Sequence, residues 1–179
     1  MTENNLIASL KNPNTINSAF KELLNQYKER LYWHVRKIVI NHDDTDDVLQ
    51  NIFIKIYRNI HKFNGDSKLY SWMYRIATNE VITFINQRAR KKNSVSEEVQ
   101  KTLINNLTSD EYFDGDEAQI KLIKAIATLP QKQQLVFNMK YFDAIKYKEM
   151  SEILDTSEGA LKASFHIASK KIKEYLLNN

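Results

Sequence analysis

The stretch from Leu129 to Leu176 constrains the fold most. Leu129-Pro130 opens a helix, Tyr147-Lys148-Glu149-Met150-Ser151-Glu152-Ile153-Leu154 forms a second, Asp155-Thr156-Ser157 turns, and Glu158 to Leu176 runs on as a long third. That order is a helix-turn-helix, the arrangement that places one helix in a DNA groove. At about 100° per residue, Leu161, Phe165, Ala168, Ile172 and Leu176 form one apolar stripe, expected to pack back on Tyr147, Met150, Ile153 and Leu154. The opposite side carries Gly159, Lys162, Ala163, His166, Lys170 and Lys173. Small residues there let the backbone approach base pairs, lysines neutralise phosphates, and imidazole donates to a base edge or a phosphate. Ser157 is the natural N-cap, so free amides and the positive end of the helix dipole point toward DNA. Read alone, the same residues also describe a lysine-rich solvated face on an ordinary surface helix.

Three glycines and two prolines in 179 residues leave little material for a turn-dense β fold, so an all-α protein is expected. With no cysteine, disulfides and thiolate metal sites are excluded. His34, His42, His61 and His166 match no zinc spacing. The start, Met1-Thr2-Glu3-Asn4-Asn5, has no basic or apolar leader character and no later run approaches a membrane span, so a cytoplasmic protein is expected.

Charge is unevenly distributed. Residues 1 to 93 hold 15 Lys/Arg against 9 Asp/Glu, 94 to 118 hold 1 against 7, and 119 to 179 hold 10 against 6, giving +6, −6 and +4. Two basic helical blocks joined by an acidic segment read as two nucleic-acid-binding modules on a tether. The predicted organisation is therefore a helical bundle over 16–93, a flexible acidic linker over 94–118 with at most a short helix around Val99 to Leu107, and a helix-turn-helix domain over 119–177.

In the first module, Phe20, Leu23, Leu24, Tyr27, Leu31, Val35 and Ile38 mark a core-facing helix over 16–40. Next comes Asn41-His42-Asp43-Asp44-Thr45-Asp46-Asp47, ahead of Val48 to Tyr57. Carboxylates in a first turn are favoured by the helix dipole, but this cluster exceeds what capping needs. A calcium loop would require alternating ligands, a central glycine and a distal glutamate, which are lacking. A solvated acidic face and a docking site for a basic partner remain.

Phe63-Asn64-Gly65-Asp66-Ser67-Lys68-Leu69-Tyr70 reads as a loop, and Ser71 starts a helix that continues to Lys92. Met73, Ile76, Ala77 and Phe84 line its core side, while Trp72, Arg75, Asn79, Thr83, Asn86 and Arg90 gather on another face. An exposed tryptophan beside arginine, amides and a basic tail suits the holding of unstacked bases. Asn79 can read a base edge, and Arg88, Arg90, Lys91 and Lys92 can follow phosphates. Glu80 falls on the apolar side, where an ion pair with a neighbouring helix would account for it.

Asp46-Asp47-Val48-Leu49-Gln50-Asn51-Ile52-Phe53, then Ser71-Trp72-Met73-Tyr74-Arg75-Ile76-Ala77-Thr78-Asn79, then Leu129-Pro130 and Ser157-Glu158-Gly159-Ala160-Leu161-Lys162-Ala163-Ser164 together resemble the extracytoplasmic-function sigma factors. These are the smallest sigma-70-type subunits of bacterial RNA polymerase, and the ordered match runs from Phe20 to Leu176. The resemblance implies a two-domain promoter-recognition subunit. Asp43 to Tyr57, with Asp43, Asp46, Asp47, Gln50 and Asn51, would dock on the basic coiled coil of the polymerase clamp. Phe63 to Lys92 would open and read the minus-10 element, with Phe63, Asn64, Ser71, Trp72, Arg75, Asn79, Asn86, Arg88 and Arg90 on DNA and a flipped base held in the Phe63 to Ser71 loop. Tyr147 to Lys173 would read the minus-35 duplex through Ser157, Glu158, Gly159, Lys162, Ala163, His166 and Lys170. The acidic linker would lie in the RNA-exit channel, and a membrane-bound anti-sigma factor would occlude both domains until a signal released them.

Departures limit the promoter sequence that carries over. Ser164 and Ile167 stand where the family often has arginines, and Thr83 and Asn86 where it commonly has Asp and Arg. Ile167 lies near the outward face, for a thymine methyl or a packing partner. Paired catalytic acids, an activated nucleophile and a phosphate-binding glycine loop are all lacking, so an enzyme is not expected, nor is a cofactor. A plain helix-turn-helix regulator and a pure protein-interaction module are the rivals.

Overall fold

The structure, a computed structural model, describes residues 2–91 and 117–178, with the side chains of 89–91 outside the description. Among the described residues there are eight α-helices and no strand. They are α1 (Glu3–Lys11), α2 (Ile16–Val39), α3 (His42–Asn59), α4 (Leu69–Lys91), α5 (Glu117–Ala127), α6 (Gln131–Tyr141), α7 (Tyr147–Leu154) and α8 (Glu158–Asn178), with a 3-10 turn at Ile60–Lys62. None is long and apolar enough to cross a membrane. The chain divides into two compact units, Met1–Arg88 and Ala89–Asn179. The predicted linker over 94–118, with its short helix at Val99 to Leu107, lies outside the described residues except where α5 begins at Glu117.

In the first unit, α2 and α3 pack side by side. Leu23, Leu31 and Val35 of α2 and Ile52 and Ile56 of α3 are each fully buried, which contributes roughly 1.5–3 kcal/mol per side chain. The two helices are joined by an abrupt reversal. Ile40 adopts φ 68°, rare for a β-branched residue, with its N–H still bonded to the Arg36 carbonyl. Asn41 then caps α3, its side chain accepting from the Asp44 N–H at 2.8 Å. That reversal delivers the aspartates to the first turns of α3.

Helix α4 is more deeply embedded than its wheel predicts. Met73 and Ala77 are buried as expected, but so are Tyr74, Thr78 and Val81. The reason is that α4 meets two neighbours. On one side the Thr78 hydroxyl lies 3.1 Å from His34 Nε2 and the Tyr74 ring packs on the His34 imidazole at 4.0 Å, both toward α2. On the other side Glu80 forms an ion pair with Lys55 of α3, which accounts for a carboxylate on the apolar face. Helix α1 is an element that the sequence reading did not mark. Leu6 and Leu10 bury it, at 1% and 0% exposed, against α2 and the Ile60–Lys62 turn.

In the second unit, Pro130 precedes the first turn of α6, where a missing N–H costs nothing. Buried Gln134 donates through Nε2 to the carbonyls of Ala127 and Leu129, satisfying the end of α5. Ala125, Ile126, Leu129 and Phe137 form one core with Ala168 and Ile172 of α8. The apolar stripe of α8 thus packs on α5 and α6 as well as on α7, where Met150 is fully buried. Leu176, expected in that stripe, is 39% exposed, and Tyr175 beside it packs on the core instead. Between α7 and α8 the chain turns at Asp155, in the left-handed conformation at φ 46° and ψ 50°, which a short polar side chain tolerates.

Candidate nucleic-acid interface

Ser157 caps α8, accepting from the Ala160 N–H at 3.3 Å. From there Glu158, Gly159, Lys162, Ala163, His166, Lys170 and Lys173 are all exposed, so every outward residue expected on this helix is on the surface. At Gly159 a Cβ would meet nothing within 4 Å, so close approach by another molecule is unobstructed. Lys162 is shared between Glu158, at 3.9 Å, and the Tyr147 ring, at 5.7 Å from its centroid. Lys140 lies over the same ring at 4.8 Å, so lysines from α6 and α8 both lie against one tyrosine of α7. Ile167 is 45% exposed beside this face.

In the first unit, a cleft of about 350 Å³ opens between α3 and α4, lined by Lys55, Asn59, Lys62, Trp72, Ile76, Asn79, Glu80 and Thr83. Trp72, Asn79 and Thr83 share it because they stand on one face of α4, and Thr83 is steadied by donating to the Asn79 carbonyl at 2.8 Å. The contributions of Lys55, Asn59 and Lys62 lie a loop away in sequence and were not anticipated. Trp72 itself corrects the expectation of an exposed ring. It is half-buried, because Phe63 folds against it with ring centroids 5.4 Å apart and planes tilted by 52°. Phe63 is only 2% exposed and stands behind the tryptophan. The part of the indole that Phe63 leaves uncovered lines the cleft.

The remaining minus-10 residues are distributed differently. Asn64, Arg75 and Asn86 are exposed and Ser71 is half-buried, but none of them lines the cleft. Arg88 is held by Asp44 of α3 at 3.1 Å, a tie across the unit. The Arg90 side chain falls outside the described residues.

The acidic positions gather elsewhere. Asp43, Asp46, Asp47, Gln50 and Asn51 are all exposed on α3, and Asp46 reaches His42 Nε2 at 3.5 Å. Asp46, Asp47 and Gln50 border a groove of about 710 Å³ between α2 and α3, whose other walls are Phe20, Leu24, Lys28, Leu49, Phe53, Ile54, Tyr57 and Arg58. Ile54 and Tyr57 are 42% and 39% exposed, an apolar floor beside carboxylates. The sequence held a signal for it: Phe53, Ile54 and Tyr57 make a second apolar stripe on a helix whose core stripe is Val48, Leu49, Ile52 and Ile56.

Half-buried on α2, Tyr27 has its phenol pushed above the ordinary tyrosine range, first by its partial burial and then by the charge of Glu3. Its ring stacks on Tyr70 at 6.0 Å, and Arg30 lies 3.8 Å over Tyr70.

Comparison with known proteins follows this division. The family model for sigma-70 region 2 matches residues 23–91, and that for sigma-70 region 4 matches residues 119–172. The chain is 28% identical over 170 residues to the ECF RNA polymerase sigma factor SigW of Bacillus subtilis, covering 88% of this chain and 89% of that protein. It is 26% identical over 164 residues to the ECF RNA polymerase sigma-E factor of Escherichia coli, covering 86% and 84%. Among solved structures, CnrH in complex with the cytosolic domain of CnrY superposes with a TM-score of 0.69 at 19% identity, over 99% of this chain and 98% of that one. The sigma factor RpoE of Bartonella quintana, in complex with the anti-sigma factor NepR, gives a TM-score of 0.68 at 18% identity, over 88% and 96%.

Proposed function

We infer a division of labour from one premise: the chain belongs to the extracytoplasmic-function group of the sigma-70 family and directs promoter-specific transcription initiation by RNA polymerase. The second unit is the duplex anchor. Its α8 lays Gly159, Lys162, Ala163, His166 and Lys170 against the minus-35 element, with lysines on phosphates and small residues allowing close approach. The first unit opens and reads the minus-10 element.

The observation that carries this reading is the cleft beside Trp72. It joins Trp72, Asn79, Lys62 and the Lys55–Glu80 ion pair in one concavity between α3 and α4. Unstacking a base costs a few kcal/mol, and stacking on an aromatic ring returns roughly 1–3 kcal/mol. A subunit that offers such a surface only to unstacked strand favours the open state by selective binding. Sigma factors are regulatory subunits, so the covalent chemistry belongs to the polymerase.

Asp46, Asp47 and Gln50, with the apolar floor beside them, form the face for core polymerase. Asp46 and Asp47 stand beside apolar side chains in a groove that Lys28 and Arg58 also line, which suits an amphipathic helical partner with basic residues for the α3 carboxylates. The RpoE structure that this chain resembles is a complex with the anti-sigma factor NepR, and an antagonist of that kind is part of the reading for this chain. The test is to add the chain to core polymerase and promoter DNA and map unpaired thymines with permanganate. Opening confined to the minus-10 region supports the assignment; duplex binding without opening refutes it.

A further inference from the structure

The loop over 64–68 is weakly held by its own residues. Asn64, Gly65, Asp66, Ser67 and Lys68 are all exposed, and Gly65 sits at φ 86°. Ser67 reaches the Lys68 carbonyl at 3.5 Å, the limit of a hydrogen bond. Both ends of the loop are held by one element, α1. At the outgoing end, the Glu3 carboxylate accepts from the Leu69 N–H at 3.0 Å, across 66 residues of sequence. Leu69 is the first residue of α4, and the lysine before it has no acceptor with which to cap the helix. At the incoming end, α1 packs on the Ile60–Lys62 turn. There Ile60 is 1% exposed, and Phe63 is locked by donating its N–H to the Ile60 carbonyl at 3.1 Å. Leu6 and Leu10 anchor α1 itself.

We propose that α1, which precedes the residues matched to region 2, braces the base-reading loop from both ends, with Glu3 as the positioning residue that fixes the start of α4. The proposal rests on the reading of the loop and Trp72 as the minus-10 element. Its physical content is preorganisation. A loop whose ends are already fixed loses less conformational freedom when a base is captured. Trp72 follows directly, because its N–H donates to the Lys68 carbonyl at 3.2 Å in the same first turn.

The test compares Glu3→Ala and Glu3→Gln with the parent in the full chain. Hydrogen exchange of the free protein is followed over 64–72, with 158–178 as the internal control. Permanganate opening is then measured with core polymerase. Glu3→Ala should exchange about fivefold faster over 64–72, the loss expected of one helix cap, with 158–178 unchanged. Opening should slow by a similar factor at unchanged core affinity. Glu3→Gln keeps an acceptor oxygen and should restore both. Unchanged exchange over 64–72 overturns the brace, and faster exchange with unchanged opening overturns the positioning role. Equal acceleration throughout the first unit in both variants overturns it too, assigning Glu3 to stability alone. The exchange measurement needs no DNA, so it judges the brace separately from the promoter reading.

Discussion

Trp72→Ala is the most informative single perturbation of the cleft. The indole is half-buried, with the Phe63 ring 5.4 Å away, so only part of its surface is open to a base. Full stacking on an aromatic side chain is worth roughly 1–3 kcal/mol, and partial cover places the loss at about 1–2 kcal/mol, or about five- to thirtyfold in the open-complex equilibrium. Removing the ring also uncovers Phe63, so Trp72→Phe serves as a partner variant that keeps a stacking face and most of the packing. Permanganate reactivity in the minus-10 region should fall for the alanine variant and largely return for phenylalanine. A gel shift on a minus-35 duplex should be unchanged for both, since α8 lies in the other compact unit. Equal losses in opening and duplex binding would refute the reasoning, because the tryptophan would then be serving the fold as a whole.

Three further outcomes follow from the same geometry. Asp46→Lys with Asp47→Lys reverses the rim of the groove and should weaken capture of core polymerase at least about tenfold, while leaving the unfolding transition of the free chain within about 0.5 kcal/mol; unaltered affinity in a pull-down would remove the docking assignment. Lys170→Ala takes one exposed cation from α8, so the slope of log affinity against log salt for minus-35 duplex should fall by about 0.9, and an unchanged slope would show that this lysine meets no phosphate. Asn138 is 1% exposed, and neither its Oδ1 nor its Nδ2 has a hydrogen-bond partner among the described residues, so Asn138→Leu should raise stability by about 1–3 kcal/mol in urea unfolding; a lowered midpoint would mean that the amide is satisfied in solution.

The helix-turn-helix was legible because α8 separates its faces cleanly. Leu161, Ala168 and Ile172 go inward and Lys162, His166 and Lys170 outward, so periodicity alone sorts them. Helix α4 was only half legible. Its second buried side runs through Thr78 and Tyr74, and a threonine reads as surface until its partner, His34, is known. That partner lies 44 residues away, and no local pattern announces it. An ion pair for Glu80 with a neighbouring helix was legible, but its partner Lys55, and the lysines that complete the Trp72 cleft, come from another element that no local pattern connects to α4. Trp72 was expected to be exposed because its neighbours on the wheel are polar; the ring of Phe63, from the preceding loop, covers it instead. Helix α1 went unmarked because a nine-residue helix with Leu6 and Leu10 as its buried contacts carries little periodicity.

The most direct measurement is initiation by core polymerase with and without this chain on DNA containing many candidate start sites. A promoter-reading subunit converts unspecific initiation into transcripts from a small set of defined starts, each preceded by permanganate-reactive thymines, and Trp72→Ala depletes those transcripts. If the chain binds duplex DNA tightly by itself and leaves the polymerase's choice of start sites unchanged, the division of labour between the two units is contradicted.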